Sequence, residues 1–139
     1  MRPYGWNRIA LAVTSRYDGI GWLGGKDGKV RTDSKIGEWP VSYHGTEKGF
    51  AEEIVKVSRY NLDKGKRFLY GRGIYSTPDP AIAEKYAKVF VFKDEHYKVI
   101  IQNRVNMEDT KFVPEQNYFV TAKEENIRPY GLLYKKYNA

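Results

Sequence analysis

A chain of 139 residues holds one domain around one core and is too short for two ordinary ones. Its 24 basic against 17 acidic side chains give a formal charge of +7, but glutamates interleave the lysines and arginines, which marks a solvated surface rather than a nucleic-acid stripe. The absence of cysteine excludes disulfides, thiolate metal sites and cysteine nucleophiles, and His44 and His96 are too few for a histidine-rich metal site, so no metal is expected. No apolar run approaches the ~20 residues that span a bilayer, and MRPYGWNRIALAV is too short in apolar residues for a secretion signal. An intracellular location, cytoplasmic or nuclear, with no membrane partner, is expected.

In chain order, WNRIALAVTSRY (6–17) sets Ile9, Val13 and Tyr17 at four-residue steps behind Asn7, a pattern that predicts an N-capped helix. The glycine-rich residues 18–38 read as a loop, long for a simple connection. WPVSYHGT reads as a strand, and EKGFAEEIVKVSRYN as a helix burying Phe50, Ile54 and Val57 and ending at Asn61. RFLYGRGIYSTPDP is an extended segment broken by Gly71 and Gly73 and closed by two prolines. PAIAEKYAKVF then predicts a short helix starting after Asp79, with Pro80 tolerated in its first turn.

HYKVIIQNRV alternates, with Tyr97, Val99, Ile101 and Val105 inward and Lys98, Gln102 and Arg104 outward, the pattern of a half-buried strand. NYFVTA and NIRPYGLLYKKY supply two more strands around an acidic turn, Pro129 marking an edge or a bulge. Helices early and strands late point to an α+β domain rather than βαβ units. The 12 tyrosines suit both core filling and the stacking of flat ligands.

Gly71-x-Gly73 is not a phosphate loop. A Rossmann fingerprint needs a third glycine opening a long helix, and a P-loop needs Lys-Ser/Thr after its glycines. Glycine in an extended segment instead marks a bulge or a close backbone approach.

Taken together, YHGT (43–46), GRGIY (71–75) and a helix offering Tyr86 eleven positions past Tyr75 resemble the diphtheria-toxin-like ADP-ribosyltransferases, which include the poly(ADP-ribose) polymerase catalytic domains. The strand ending Arg104-Val105 and the last element NIRPYGLLY fall in that family's order, and the resemblance covers about residues 39–134. It implies an α+β fold of mostly antiparallel split β-sheets with a few short helices around an NAD cleft. The domain proper is 39–139, and residues 1–38, a helix and the glycine-rich loop, belong to it.

NAD is the implied substrate, cleaved between nicotinamide and ribose through a cationic, oxocarbenium-like ribose. By resemblance, His44 would orient the dinucleotide through a ribose hydroxyl. Gly45 would grip the carboxamide through its N–H and C=O, nothing blocking its approach, and Thr46 would add a hydroxyl. Tyr75, in one motif with Gly73, and Tyr86 would sandwich the nicotinamide ring, each stack worth about 1–3 kcal/mol by analogy with nucleic-acid bases.

Two departures shape the expected activity. Ala83 stands where many family members have a carboxamide-binding serine, a loss of about 1 kcal/mol. Aligning NYFVT with the family's glutamate-bearing strand puts Asn117 at the catalytic glutamate's place. Gln116 precedes it, and Glu115 lies two residues away on the same face of an ideal strand. An amide can hydrogen-bond ribose but cannot act as a carboxylate base, so chain elongation is not expected. The expected activity is mono-ADP-ribosyl transfer to a protein or nucleic-acid acceptor, or NAD hydrolysis. The rivals are a nucleotide-binding pseudoenzyme serving as an interaction module and a basic nucleic-acid-binding domain, the latter weakened by the scattered charge.

Overall fold

A computed structural model describes residues 3–11, 21–23, 38–46, 48–49, 51–52 and 73–137. The strands among them are β1 (Asn7–Ala10), β2 (Val41–Gly45), β3 (Ile74–Ser76), β4 (Phe90–Phe92), β5 (Glu95–Val105), β6 (Thr110–Val113), β7 (Tyr118–Thr121) and β8 (Ile127–Tyr137), with one short helix, α1 (Pro80–Tyr86). All the strand pairings are antiparallel. One five-stranded sheet runs β1-β8-β5-β2, with β4 also on β5, and a three-stranded sheet runs β3-β7-β6. The α+β class, mostly antiparallel with few helices, is therefore as expected.

The long ladder of β5 on β8 forms the spine, and it is covered on both sides. One face carries Val99, Ile101, Val105 and Ile127, which meet Ile74 and Phe119 of the smaller sheet and Ala51 of a helical segment. The opposite face carries Ile100 and Leu133, which meet Trp6 and the α1 side through Ala83 and Ala87. Ile100, Ile101, Val105, Ile127 and Leu133 are completely buried, each contributing about 1.5–3 kcal/mol on removal from water.

That double cover corrects the half-buried reading of β5. Gln102, expected outward, is buried and accepts from Arg8 Nε at 2.7 Å. Arg104, also expected outward, pairs with Glu38 at 2.5 Å, both side chains largely buried. Polar residues on this face are enclosed because each finds a partner that replaces water.

The N-terminal helix is corrected over its described part: residues 7–10 form a strand, β1, registered against Gly131–Tyr134 of β8. A short isolated helix is marginal, whereas the β8 edge supplies ladder bonds and lets Arg8 reach across Gly131 to Gln102 and the Tyr130 carbonyl. Residues 12–17 of that expectation lie outside the described residues. So do Phe50, Ile54, Val57 and Asn61 of the second expected helix, although 48–49 and 51–52 are helical. Most of 18–38 lies outside as well.

The described piece of that segment, Gly21–Leu23, is a single 3-10 turn drawn onto the sheet. Trp39 N–H donates to the Trp22 carbonyl, and the Arg128 guanidinium lies 4.5 Å from the Trp39 ring and 5.2 Å from the Trp22 ring. Beside them Tyr130 lies between the guanidinium groups of Arg8 and Arg104. Burial pushes the Tyr130 phenol pKa up, against the opposing pull of Arg104 and Arg8. Tyr130 is the extra residue of a β-bulge, since Asn103 pairs with Pro129 and Gln102 with Gly131. Pro129 thus sits at a bulge, one of the two places expected for it.

α1 begins where Asp79 predicts, its carboxylate accepting from Ala81 N–H at 2.9 Å with Pro80 in the first turn. It ends at Tyr86 rather than Phe90. Lys93 and Asp94 adopt φ of 49° and 63°, the left-handed pair of a tight hairpin, and this draws Phe90 into β4 against Tyr97. Asp79→Ala is expected to destabilise the chain by about 1 kcal/mol through loss of the cap, read as a lower urea midpoint at unchanged slope. No helix among the described residues is long and apolar enough to cross a membrane.

Candidate functional site

Among the described residues, one bridge joins the edges of the two sheets. Tyr43 N–H donates to the Thr77 carbonyl at 2.7 Å and Thr77 N–H to the Tyr43 carbonyl at 2.9 Å. The two-residue period of β2 turns the main-chain groups of Ser42 and His44 toward β5 and those of Tyr43 and Gly45 toward the other edge. Continuing the bridge register sets Gly45 opposite Tyr75, yet the pairing stops at Tyr43–Thr77. The Tyr75 carbonyl instead contacts His44 Nδ1 at 2.7 Å. The sheets therefore part beside Gly45, whose N–H and C=O face the parting.

A carbonyl only accepts, so Nδ1 must carry the proton in this bond. In the neutral imidazole, Nε2 is then the acceptor nitrogen. Burial lowers the His44 pKa from its ordinary 6.5, opposed by the Tyr75 carbonyl bond. A neutral imidazole in this tautomer has Nε2 as its acceptor nitrogen.

Gly45 has a packing reason to be glycine. A Cβ there would lie 1.8 Å from the Ala83 carbonyl oxygen, because α1 rests directly on β2. The space on that side is filled, contrary to the expectation of an open approach; only the main-chain edge faces the parting. Ala83 is buried in this contact. Gly73 is similar, since a Cβ would come within 2.8 Å of the Thr121 carbonyl oxygen, which is the close approach expected of a glycine in an extended segment. Gly71 lies outside the described residues, and Thr46 follows β2 half-buried.

Tyr75 and Tyr86 do not face one another directly. Tyr118 on β7 is in contact with both, its ring centroid 6.4 Å from that of Tyr75 and 6.3 Å from that of Tyr86. The Tyr118 and Tyr86 hydroxyls are hydrogen-bonded. Tyr86 stands 55% exposed at the end of α1, so the trio runs from the half-buried Tyr75 out to solvent.

The strand expected to carry Asn117 starts one residue later, at Tyr118. Residues 114–117 form the turn of the β6–β7 hairpin, with Asn117 N–H donating to the Pro114 carbonyl and Gln116 N–H to the Val113 carbonyl. The premise that Glu115 and Asn117 share a strand face is therefore corrected. Glu115 and Gln116 are exposed in the turn, and Asn117 is left-handed at φ 57°. The Asn117 carbonyl accepts from Thr77 Oγ1 at 2.7 Å.

Sequence reasoning missed Thr77 and Tyr118. Thr77 ties β2, the hairpin turn and the approach to α1 together, its Oγ1 also accepting from Asp79 N–H. A signal for Tyr118 was present: PEQN, with proline first and asparagine last, is turn chemistry, and it places the strand start at 118. Among the described residues no group of three or more His, Cys, Asp or Glu is placed to hold a metal ion. Compared with protein-family models and with curated proteins, the chain matches none.

Proposed function

We propose that this chain is an ADP-ribosyltransferase-like domain that binds NAD where the two sheets part and cleaves its nicotinamide–ribose bond. The observation that carries this reading is the His44–Tyr75 contact beside Gly45. One imidazole, one main-chain edge left out of the sheet pairing and a set of aromatic rings occur where the two antiparallel sheets part. Each matches a part of NAD: a ribose hydroxyl donating to His44 Nε2, a carboxamide paired with the Gly45 N–H and C=O, and a flat ring against Tyr75. By the same resemblance, Thr46 and Tyr86 would complete the site.

In the reaction the C1′–N bond breaks and its electron pair leaves with neutral nicotinamide. An acceptor oxygen or nitrogen then bonds to C1′ and releases a proton. β2, β3 and β7 carry no carboxylate, so no carboxylate base is built into these strands and the rate is low. Transfer of a single ADP-ribose, to a protein or nucleic-acid acceptor or to water, is the product class this favours. The same lack of a carboxylate supports a second reading, an NAD-binding module without turnover.

The test is nicotinamide release from NAD by the full chain, followed by chromatography. Wild type is expected to release it, with Tyr75→Ala at least about tenfold slower, as befits loss of one stacking ring. Equal release from wild type, Tyr75→Ala and His44→Ala overturns the enzyme reading. NAD binding without release selects the second reading.

A further inference from the structure

The position of Tyr118 carries one step more, resting on the NAD reading for the identity of its ligand. We propose that Tyr118 is a gate that decides which ring may lie between Tyr75 and Tyr86. A flat ring held between two aromatic faces needs about 3.5 Å on each side. In this structure the ring of Tyr118 lies against both, tilted 56° to Tyr75 and 66° to Tyr86.

The gate is held from opposite sides of the opening. β7 belongs to the three-stranded sheet, whereas α1 stands on β2 of the larger one. The hydrogen bond between the Tyr118 and Tyr86 hydroxyls therefore links the smaller sheet to the helix resting on the larger one. Tyr86 is more than half exposed, so water can replace that bond when it breaks. Tyr118 itself is half-buried and begins its strand just after the turn.

A site closed in most molecules binds its ligand more weakly by the fraction that is open. Removing the gate therefore tightens binding, the opposite of what loss of a stacking wall does. Tyr118→Phe keeps the ring but loses the phenol bond, and Tyr118→Ala removes both.

The experiment titrates nicotinamide into the full chain and reads affinity by tyrosine ring NMR shifts. Tyr118→Phe is expected to bind about threefold more tightly than wild type, and Tyr118→Ala about tenfold more tightly. Thermal unfolding of Tyr118→Phe checks that the fold is kept. Equal affinities, weaker binding by the variants, or no binding by any of the three overturns the gate. NAD cleavage by wild type is scored separately. Cleavage without tighter binding by the variants removes the gate and leaves the function, whereas tighter binding without cleavage keeps the gate and removes the enzyme.

Discussion

Gly45→Ala is expected to lower the stability of the chain by about 3 kcal/mol, at the upper end of ordinary overpacking. The added Cβ meets main-chain atoms, Ala83 O at 1.8 Å and Ala83 C at 2.8 Å, with Ala87 N at 3.1 Å. No flexible side-chain end is there to swing aside, so either α1 lifts or β2 shifts on β5. Both movements open the buried contacts of Ile100, Leu133 and Trp6. For a domain of this size the loss corresponds to a melting temperature lower by about 10 °C. Gly49→Ala is the matched control, since its Cβ meets nothing within 4 Å and its backbone is helical. It is expected to gain about 0.5–1 kcal/mol. If Gly45→Ala melts with wild type, the close seat of α1 on β2 is wrong, and with it the placement of Tyr86.

How far these features could be read in advance depended on whether their cause was local. The start of α1 is local: an acceptor side chain, then proline, then helix formers, and Asp79 caps it as that order requires. The end of α1 is not, because the β4–β5 hairpin competes for Phe90 through a left-handed Lys93–Asp94 pair that is not one of the usual glycine-containing turns. β5 shows the same division. Its apolar alternation was plain, but burial of Gln102 and Arg104 depends on Arg8 and Glu38, which are 94 and 66 positions away. β1 failed for a similar reason: four residues with helical spacing are captured by the open edge of β8.

In the candidate site, His44 and Tyr75 were singled out by motif spacing, and the fold brings them into contact. That His44 meets the Tyr75 carbonyl, rather than the Tyr75 ring, needed the sheet register. The third position shows how a one-residue error propagates: in a strand it moves a side chain to the other face. Starting β7 at Tyr118 turns an expected amide into a phenol ring beside Tyr75 and leaves Asn117 contributing a carbonyl to Thr77.

His44 is expected to give the largest effect on activity, and its pH dependence separates positioning from mere packing. Loss of the acceptor nitrogen in His44→Ala misplaces the dinucleotide and is expected to lower kcat/KM by about 100-fold. On the proposed function the neutral imidazole is the competent form, because protonation of Nε2 turns an acceptor into a donor. Burial holds the folded-state pKa below 6.5, so activity is expected to fall on the acid side with a midpoint under 6.5 and to be flat through neutral pH. The stability linkage has the same origin. With the folded pKa below the unfolded one, the unfolded chain takes up the proton first as pH falls. His44 therefore contributes nothing above about 6.5 and costs stability as pH drops from there to the folded value. His44→Gln cannot titrate and still offers an acceptor oxygen, so it is expected to keep part of the activity, lose the acid limb, and flatten the stability profile in that window. A limb that persists in His44→Gln, or a wild-type midpoint above 6.5, would show that another group governs the reaction.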